Sequence, residues 1–421
     1  MDVLILAGGD GKRIKSLSEN KQKSLLKINN KTLLKHQITM ISKINKKIFL
    51  SIKENDKDIF NELKPIKKNK FIFIKESKKL GTAGCLKALK NYKVEDILVI
   101  YSDILFNIDL KKFIKFHNSK KSDLTLFTHP NNHPHDSDIV EVNENSRVIH
   151  FHNKYSRKKY VGNLCLSGIY IIKKKLLSYL GNKDYQDFSK NFLPKILEKK
   201  NIKIFSYKSR EYAKDIGTPY RYKIAIKEFN SEKFKKGNLN SKIPAVFLDK
   251  DGVINPDKYN YKYQSPHKFI NGTFEAIKKI NDKGFLAVLI TNQPAVAKGF
   301  ISINKLMKDF KKLESLLGYK GSYLDMIYYC PCHPEKGHKG EIKKYKRICS
   351  WRKPNNGMLL KAISDLNINK KKSFMIGDTE NDLMAAKKTK IKFIQVGEKI
   401  NLKNIIKYKN LKNAIDSIFK N

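Results

Sequence analysis

Residues 245–255 read AVFLDKDGVIN. Four apolar residues run into Asp249 and Asp251, one residue apart, and then into Gly252. A short apolar run that stops at polar residues is the pattern of a buried strand feeding a loop. Two carboxylates this close repel each other unless a cation or a reaction uses them. A bare Asp-x-Asp is more often a loop of surface acids, so the surrounding sequence has to decide.

Downstream the same grammar repeats. FLAVLITN (285–292), MIYYC (326–330), SFMIGD (373–378) and IKFIQV (391–396) read as strands. GTFEAIKKINDKG (272–284), SINKLMKDFKKLESLLG (302–318), NGMLLKAISDL (356–366) and NDLMAAKKT (381–389) read as helices between them. Upstream, VLIL (3–6), KIFLSI (47–52), KFIFI (70–74), DILVIYSD (96–103), DLTLFT (123–128) and LSGIYII (166–172) are strand candidates. Helical patterns lie at 32–44 and 83–90. Strands alternating with helices predict α/β folding in both halves, each an open, mostly parallel sheet flanked by helices. The polar, charged stretch 231–243, followed by Pro244, reads as a linker between domains at 1–230 and 244–421.

The chain has 421 residues and is 40% hydrophobic, enough for two packed cores. No apolar run has the length of a membrane span. The opening MDVLILAGG reads as a first strand rather than a signal peptide, so a cytoplasmic protein is expected. Five cysteines, three of them at 330, 332 and 349, suit a metal better than a disulfide framework. Lys and Arg number 87 against 40 Asp and Glu, a net charge of +47. Such a charge raises nucleic acid as a partner. The lysines are spread through nearly every segment, however, and no basic arm stands apart. A compositional bias on solvated faces is therefore expected, with neither nucleic acid nor membrane as partner.

Three strands of the second half end in reactive groups: Asp249-x-Asp251, Thr291-Asn292, and Gly377-Asp378 with Asp382 beyond. Arg352-Lys353-Pro354 lies between the last two. Strand carboxyl ends in an open α/β sheet form the ligand crevice, so these groups are expected at one site. Mg²⁺ held by Asp249, Asp378 and the Asp251 region would offset the repulsion between a carboxylate and a phosphoryl group. Asp249 would attack phosphorus, and Asp251 would serve as acid and then base. Thr291 and Lys353 would hold phosphoryl oxygens.

Over roughly residues 244–398 this order of motifs resembles the haloacid dehalogenase-like phosphatase superfamily. DGVIN, TNQ, YYCPCHP and RKPNNGM resemble its D-glycero-D-manno-heptose 1,7-bisphosphate 7-phosphatase branch, with histidinol-phosphate phosphatases as relatives. The resemblance implies substrate contacts from Asn292 and Arg352. It also implies a structural zinc loop, with Cys330, Cys332 and Cys349 as ligands. Trp351 stands at the family's fourth ligand position, which leaves His333 and His338 as candidates to complete the set.

In the first half a strand enters AGGDGKR (7–13). Glycines after a strand free backbone N–H groups for phosphates, and Arg13 adds a planar fork. The loop is neither a dinucleotide fingerprint nor a P-loop. With Lys23, LGTAG (80–84), Asp103 in VIYSD and DIGTP (215–219), it resembles the sugar-1-phosphate nucleotidyltransferases over about residues 1–228. That family is Rossmann-like. The resemblance implies that Gly8, Gly9, Gly11, Arg13 and Lys23 bind the nucleoside triphosphate. Gly81, Thr82 and Gly84 would lie beside nucleotide and sugar, and Asp103 and Asp215 would hold Mg²⁺. A family acid appears here as Lys190. Together the resemblances imply a bifunctional enzyme acting on heptose bisphosphate and heptose 1-phosphate, with GTP the favoured nucleotide. Two alternatives are a histidinol-phosphate phosphatase fused to another sugar transferase, and a nucleic-acid-binding protein with vestigial enzyme domains.

Overall fold

The computed structural model describes residues 1–9, 22–42, 44, 47–66, 71–155, 159–256, 268–397 and 404–420. The chain divides into two compact units, one of residues 1–129, 137–157 and 164–238, the other of 130–136, 158–163 and 239–421.

In the first unit β1 (Asp2–Leu6) lies between β2 (Ile48–Lys53) and β4 (Asp96–Tyr101), with β3 (Phe71–Glu76) beyond β2; these pairings are parallel. The sheet is parallel at its centre and takes antiparallel strands beyond β4. A long strand, β9 (Cys165–Lys173), pairs antiparallel with both β4 and β6 (Leu124–His129). The edge pair β7 (Ile139–Val142) and β8 (Val148–His152) is also antiparallel, and β10 (Ile204–Lys208) runs parallel to β6. A separate antiparallel ribbon joins β5 (Ile104–Asn107) to β11 (Tyr212–Asp215). Alternate strand residues face opposite cores, as the pleat requires. Leu4, Phe49, Ile97 and Val99 enter one core, and Val3, Ile5, Ile48, Leu50, Leu98 and Ile100 the other. The stretch read as a linker is partly folded: Phe234 packs on Tyr212 and Phe229, with ring centroids 5.1 and 4.6 Å away.

The second unit is an all-parallel sheet in the order β14 (Met326–Cys330), β13 (Leu286–Asn292), β12 (Ala245–Leu248), β15 (Phe374–Gly377), β16 (Lys392–Val396), β17 (Lys407–Tyr408). All four residues of β12 are buried because helices cover both sheet faces. Val246 and Leu248 pack toward α4 (Thr273–Asp282) and α5 (Ile303–Tyr319). Ala245 and Phe247 pack toward α6 (Gly357–Leu366) and α7 (Glu380–Thr389). Burial contributes roughly 1.5–3 kcal/mol for each large apolar side chain. The sheet is thereby a rigid base for groups at its carboxyl edge. Among the described residues no helix is long and apolar enough to cross a membrane.

Candidate active sites

At the carboxyl edge of the second sheet, β12 lies between β13 and β15, so Asp249, Thr291 and Asp378 emerge side by side. The Asp249 N–H donates to Ile376 O at 3.0 Å and extends the strand pairing into the site. Gly252 then turns the chain with φ +82°, and its N–H donates to Asn255 O at 2.7 Å. A Cβ on Gly252 would lie 2.0 Å from Asp378 Oδ2, so only glycine fits against that carboxylate.

Lys353 is 3% exposed and reaches the centre of the edge. Its ammonium lies 2.8 Å from Asp249 Oδ1 and 2.5 Å from Asp382 Oδ1, and donates to Ile290 O at 3.0 Å. Asn292 fixes its backbone from both sides: Asn292 Nδ2 donates to Lys353 O, and the Lys353 N–H donates to Asn292 Oδ1, each at 3.0 Å. Asp382 closes a capping box with Thr379 at the start of α7, which holds its carboxylate in place.

Asp249, Asp378 and Asp382 are buried, with carboxylate oxygens within 4.8 Å of one another. Burial and then the Asp382 charge push the Asp249 carboxyl up to about 8, against the opposing pull of Lys353. Burial works to lower the Lys353 ammonium, but Asp249 and Asp382 outweigh it and hold it above its ordinary value. Three carboxylates around one ammonium leave an excess of negative charge among hard oxygen donors. That donor set fits Mg²⁺. Cation binding must displace the proton that Asp249 otherwise keeps below about pH 8. Added Mg²⁺ is therefore expected to raise the unfolding temperature more at pH 8 than at pH 5.5. Scanning calorimetry would measure this, and Asp249→Asn should abolish the difference.

The structure also gives partners to Asp251 that the sequence reading assigned no role, Lys250 and Gln293. Asp251 receives Lys250 Nζ on Oδ1 at 2.8 Å and Gln293 Nε2 on Oδ2 at 3.2 Å. Gln293 Nε2 also donates to Thr291 Oγ1 at 3.0 Å. The signal was present in sequence: Gln293 directly follows the strand end that supplies Thr291 and Asn292.

Beside this site the sulfurs of Cys330, Cys332 and Cys349 lie within 4.8 Å of one another. Burial pushes the Cys330 thiol up to about 12. Burial opposes ionisation of Cys349 as well, but the Trp351 N–H and the neighbouring thiols outweigh it and hold it below its ordinary value. Neither His333 nor His338 belongs to this cluster. Three sulfurs so placed fit three of the four ligands that a tetrahedral zinc site takes. Arg352 is tied to the cluster through Nη1 to Cys332 O at 3.2 Å and N–H to Cys349 O at 3.1 Å.

In the first unit a cavity of about 200 Å³ opens where β1 ends. Gly8, Gly9, Lys23, Gly81, Thr82 and Asp103 line it. Glu76, Lys79, Tyr185 and Asp187 line it too and were not singled out in the sequence. Gly11 and Arg13 lie outside the described residues. Lys23 Nζ sits 3.0 Å from Asp103 Oδ2. From α1 (Leu33–Ile41), Gln37 donates to Tyr101 O and Ile104 O at 3.0 and 2.8 Å, pinning the turn that carries Asp103. Gly84 is not among the residues lining the cavity; its N–H donates to Gln186 O at 3.1 Å, and a Cβ there would lie 2.4 Å from Asp184 O.

Asp215 faces Ile104 across the β5–β11 ribbon, and Ile216 N–H donates to Asp103 O at 2.9 Å. The two aspartates are thus neighbours through the backbone. Asp215 is gripped by Arg221 Nη1 on both oxygens, at 2.8 and 2.9 Å, and is not among the residues lining the cavity. Lys190, in place of an acid, lies over the Tyr155 ring, 4.8 Å from its centroid. Each carboxylate is neutralised by a cation of the chain, Asp103 by Lys23 and Asp215 by Arg221.

A nucleotidyl transferase family model matches residues 2–232, more than half of the chain, and a haloacid dehalogenase-like hydrolase model matches residues 346–396. The D-glycero-beta-D-manno-heptose-1,7-bisphosphate 7-phosphatase of Pasteurella multocida is 42% identical over 149 residues, 35% of this chain and 78% of that protein. The chain belongs to both families. The Escherichia coli K12 protein of the same name is 36% identical over 145 residues, 34% of this chain and 73% of that one. A crystal structure of HddC from Yersinia pseudotuberculosis is 27% identical and covers 54% of this chain and 99% of its own, with a TM-score of 0.46. The nucleotidyl transferase match takes in the cavity of the first unit, and the phosphatase match takes in Arg352, Lys353, Asp378 and Asp382.

Proposed function

We propose that this bifunctional enzyme removes the C7 phosphate of D-glycero-D-manno-heptose 1,7-bisphosphate and joins a nucleotide, GTP being favoured, to the resulting heptose 1-phosphate. The observation that carries the phosphatase half is Lys353, clamped between Asp249 and Asp382 with Asp378 and Thr291 on the same sheet edge. The relatives' names favour heptose over histidinol phosphate. An attached nucleotidyltransferase, which would consume the phosphatase product, favours it further. GTP and sugar phosphates are metabolites of the cytoplasm, where we place the enzyme. A nucleic-acid partner is not part of this reading.

Mg²⁺ would be held by Asp249, Asp378 and the Asp251 turn, and would neutralise charge between nucleophile and phosphoryl group. Asp249 attacks phosphorus and forms an aspartyl-phosphate while Asp251 protonates the departing C7 oxygen. Asp251 then takes a proton from the water that releases inorganic phosphate. Lys353 and Thr291 hold phosphoryl oxygens, and Asn292 holds Lys353. Arg352 contacts the substrate from the sulfur loop.

In transfer, the sugar phosphate is already an anionic nucleophile, so the task is to align two polyanions. Lys23 and Arg13 take phosphate charge, the Gly8–Gly9 turn offers backbone N–H groups, and Gly81 and Thr82 border the sugar. Asp103 and Asp215 would hold the second Mg²⁺. Cys330, Cys332 and Cys349 would hold a structural zinc that keeps Arg352 and Lys353 in register. Purified protein is expected to carry about one zinc per chain, and Cys349→Ser to lose it, by plasma emission.

The deciding experiment incubates the chain with heptose 1,7-bisphosphate, Mg²⁺ and each nucleoside triphosphate in turn, with products identified by mass spectrometry. GDP-heptose, phosphate and pyrophosphate are expected with GTP. Phosphate release with no nucleotide sugar from any triphosphate would remove the transferase half.

A further inference from the structure

We infer that Gln293 is the positioning residue that aims Asp251 at the departing sugar oxygen. This rests on the phosphatase reading above, in which Asp251 is the proton donor.

Three bonds make Gln293 a junction. Its side-chain Nε2 donates to Thr291 Oγ1 at 3.0 Å and to Asp251 Oδ2 at 3.2 Å. Its backbone N–H donates to Cys330 O at 2.7 Å. The residue is 7% exposed, so its amide competes little with water. One buried amide thus links a group that grips phosphate, the acid–base carboxylate and the strand end that carries a sulfur ligand.

Asp251 needs such a guide. Its side chain is 42% exposed, whereas Asp249 is 12% and Lys353 3% exposed. Asp251 also sits on a turn, not a strand, just before the left-handed Gly252. A carboxylate so placed samples several rotamers unless both oxygens are held. Lys250 Nζ, from the adjacent residue, holds Oδ1 at 2.8 Å. Gln293, just past the end of β13, holds the other oxygen and so fixes the plane of the carboxylate against the sheet edge.

The step at stake balances simply. The bond from Asp249 Oδ to phosphorus forms as the bond from phosphorus to the sugar oxygen breaks, and the Asp251 proton goes to that oxygen. A sugar alkoxide is a poor leaving group and depends on that proton. Nitrophenolate leaves readily without it. Loss of aim at Asp251 therefore penalises sugar esters selectively, whereas general damage penalises both substrates.

The test compares kcat/KM for heptose 1,7-bisphosphate and p-nitrophenyl phosphate, because kcat/KM reports the steps up to the aspartyl-phosphate. Gln293→Met keeps the length and removes the N–H donors. Its kcat/KM is expected to fall about 30-fold on the sugar ester and less than about 3-fold on the aryl ester. Equal losses on the two esters, or no loss on either, would overturn the inference. If Gln293→Met loses all activity, Gln293→Asn, which keeps the amide one methylene short, decides by the same comparison: a selective loss sustains the inference and a uniform one overturns it. Wild-type protein that cleaves neither ester overturns the phosphatase reading, and this inference with it.

Discussion

Phosphate release from heptose 1,7-bisphosphate falls by about 10⁴-fold or more in Asp249→Asn, while pyrophosphate release from GTP and heptose 1-phosphate stays within about two-fold. Asparagine keeps the shape of the side chain but offers no anionic oxygen to phosphorus, so no acyl-phosphate forms. Lys353 keeps its 2.5 Å contact with Asp382 and its bond to Ile290 O, so the clamp survives. The fold survives as well, by a linkage argument. In the folded state the Asp249 carboxyl is raised to about 8 from 3.8, so without a divalent cation the folded state binds the extra proton. Stability contributed by that proton is present below about pH 4 and is lost as pH rises toward 8. Asparagine stays neutral throughout, so the variant should unfold no lower than the parent at pH 8 in the absence of Mg²⁺. Phosphate and pyrophosphate assays on the same preparation, with calorimetry, check all three statements. A folded variant that has lost both activities would defeat the assignment of two independent sites.

Much of this was legible in the sequence because each clue was local. AVFL had to be a strand buried on both faces, and its abrupt end in Asp249 had to lie at a sheet edge. The order of Thr291 and Asp378 along the chain carried the same message, since parallel strands deliver their carboxyl ends to one edge. Less legible were strands such as IVEV at 139–142 and VIHFH at 148–152. They form the edge of the first sheet, where polar side chains break the apolar run, and they bring the antiparallel pairing that strand–helix alternation did not anticipate. Side-chain partnerships were hidden for a different reason. That Gln293 spans Thr291 and Asp251, or that Arg221 grips Asp215, depends on rotamers set by tertiary packing. Motif order says which backbone positions converge, but not which cation reaches which carboxylate. The sulfur cluster shows the same limit: cysteine spacing pointed to a metal, yet His333 and His338, near in sequence, stand outside the group.

Asp103→Asn is expected to lower nucleotidyl transfer by about 10²–10³-fold and to leave phosphate release unchanged within about two-fold. Asp103 lines the cavity and holds Lys23 at 3.0 Å; in the proposed reaction its charge would serve two purposes, offering an oxygen to Mg²⁺ and setting the lysine near the incoming phosphates. Asparagine retains a carbonyl oxygen but carries no charge, and Lys23 loses its anchor. Asp215 makes the informative comparison. Arg221 already occupies both of its oxygens, and it stands outside the cavity lining. Before Asp215 can serve a metal, the ion pair in which Arg221 Nη1 spans both oxygens has to open, and opening it costs much of what the metal contact returns. Asp215→Asn is therefore expected to lower transfer less than Asp103→Asn does, by roughly ten-fold rather than hundreds. Initial rates of pyrophosphate release at saturating GTP, Mg²⁺ and heptose 1-phosphate would rank the two variants. If Asp215→Asn proved the more damaging, the Arg221 pair would have to be a resting contact that yields freely to the metal. Asp215 would then be the principal ligand, with Asp103 acting chiefly as the anchor of Lys23.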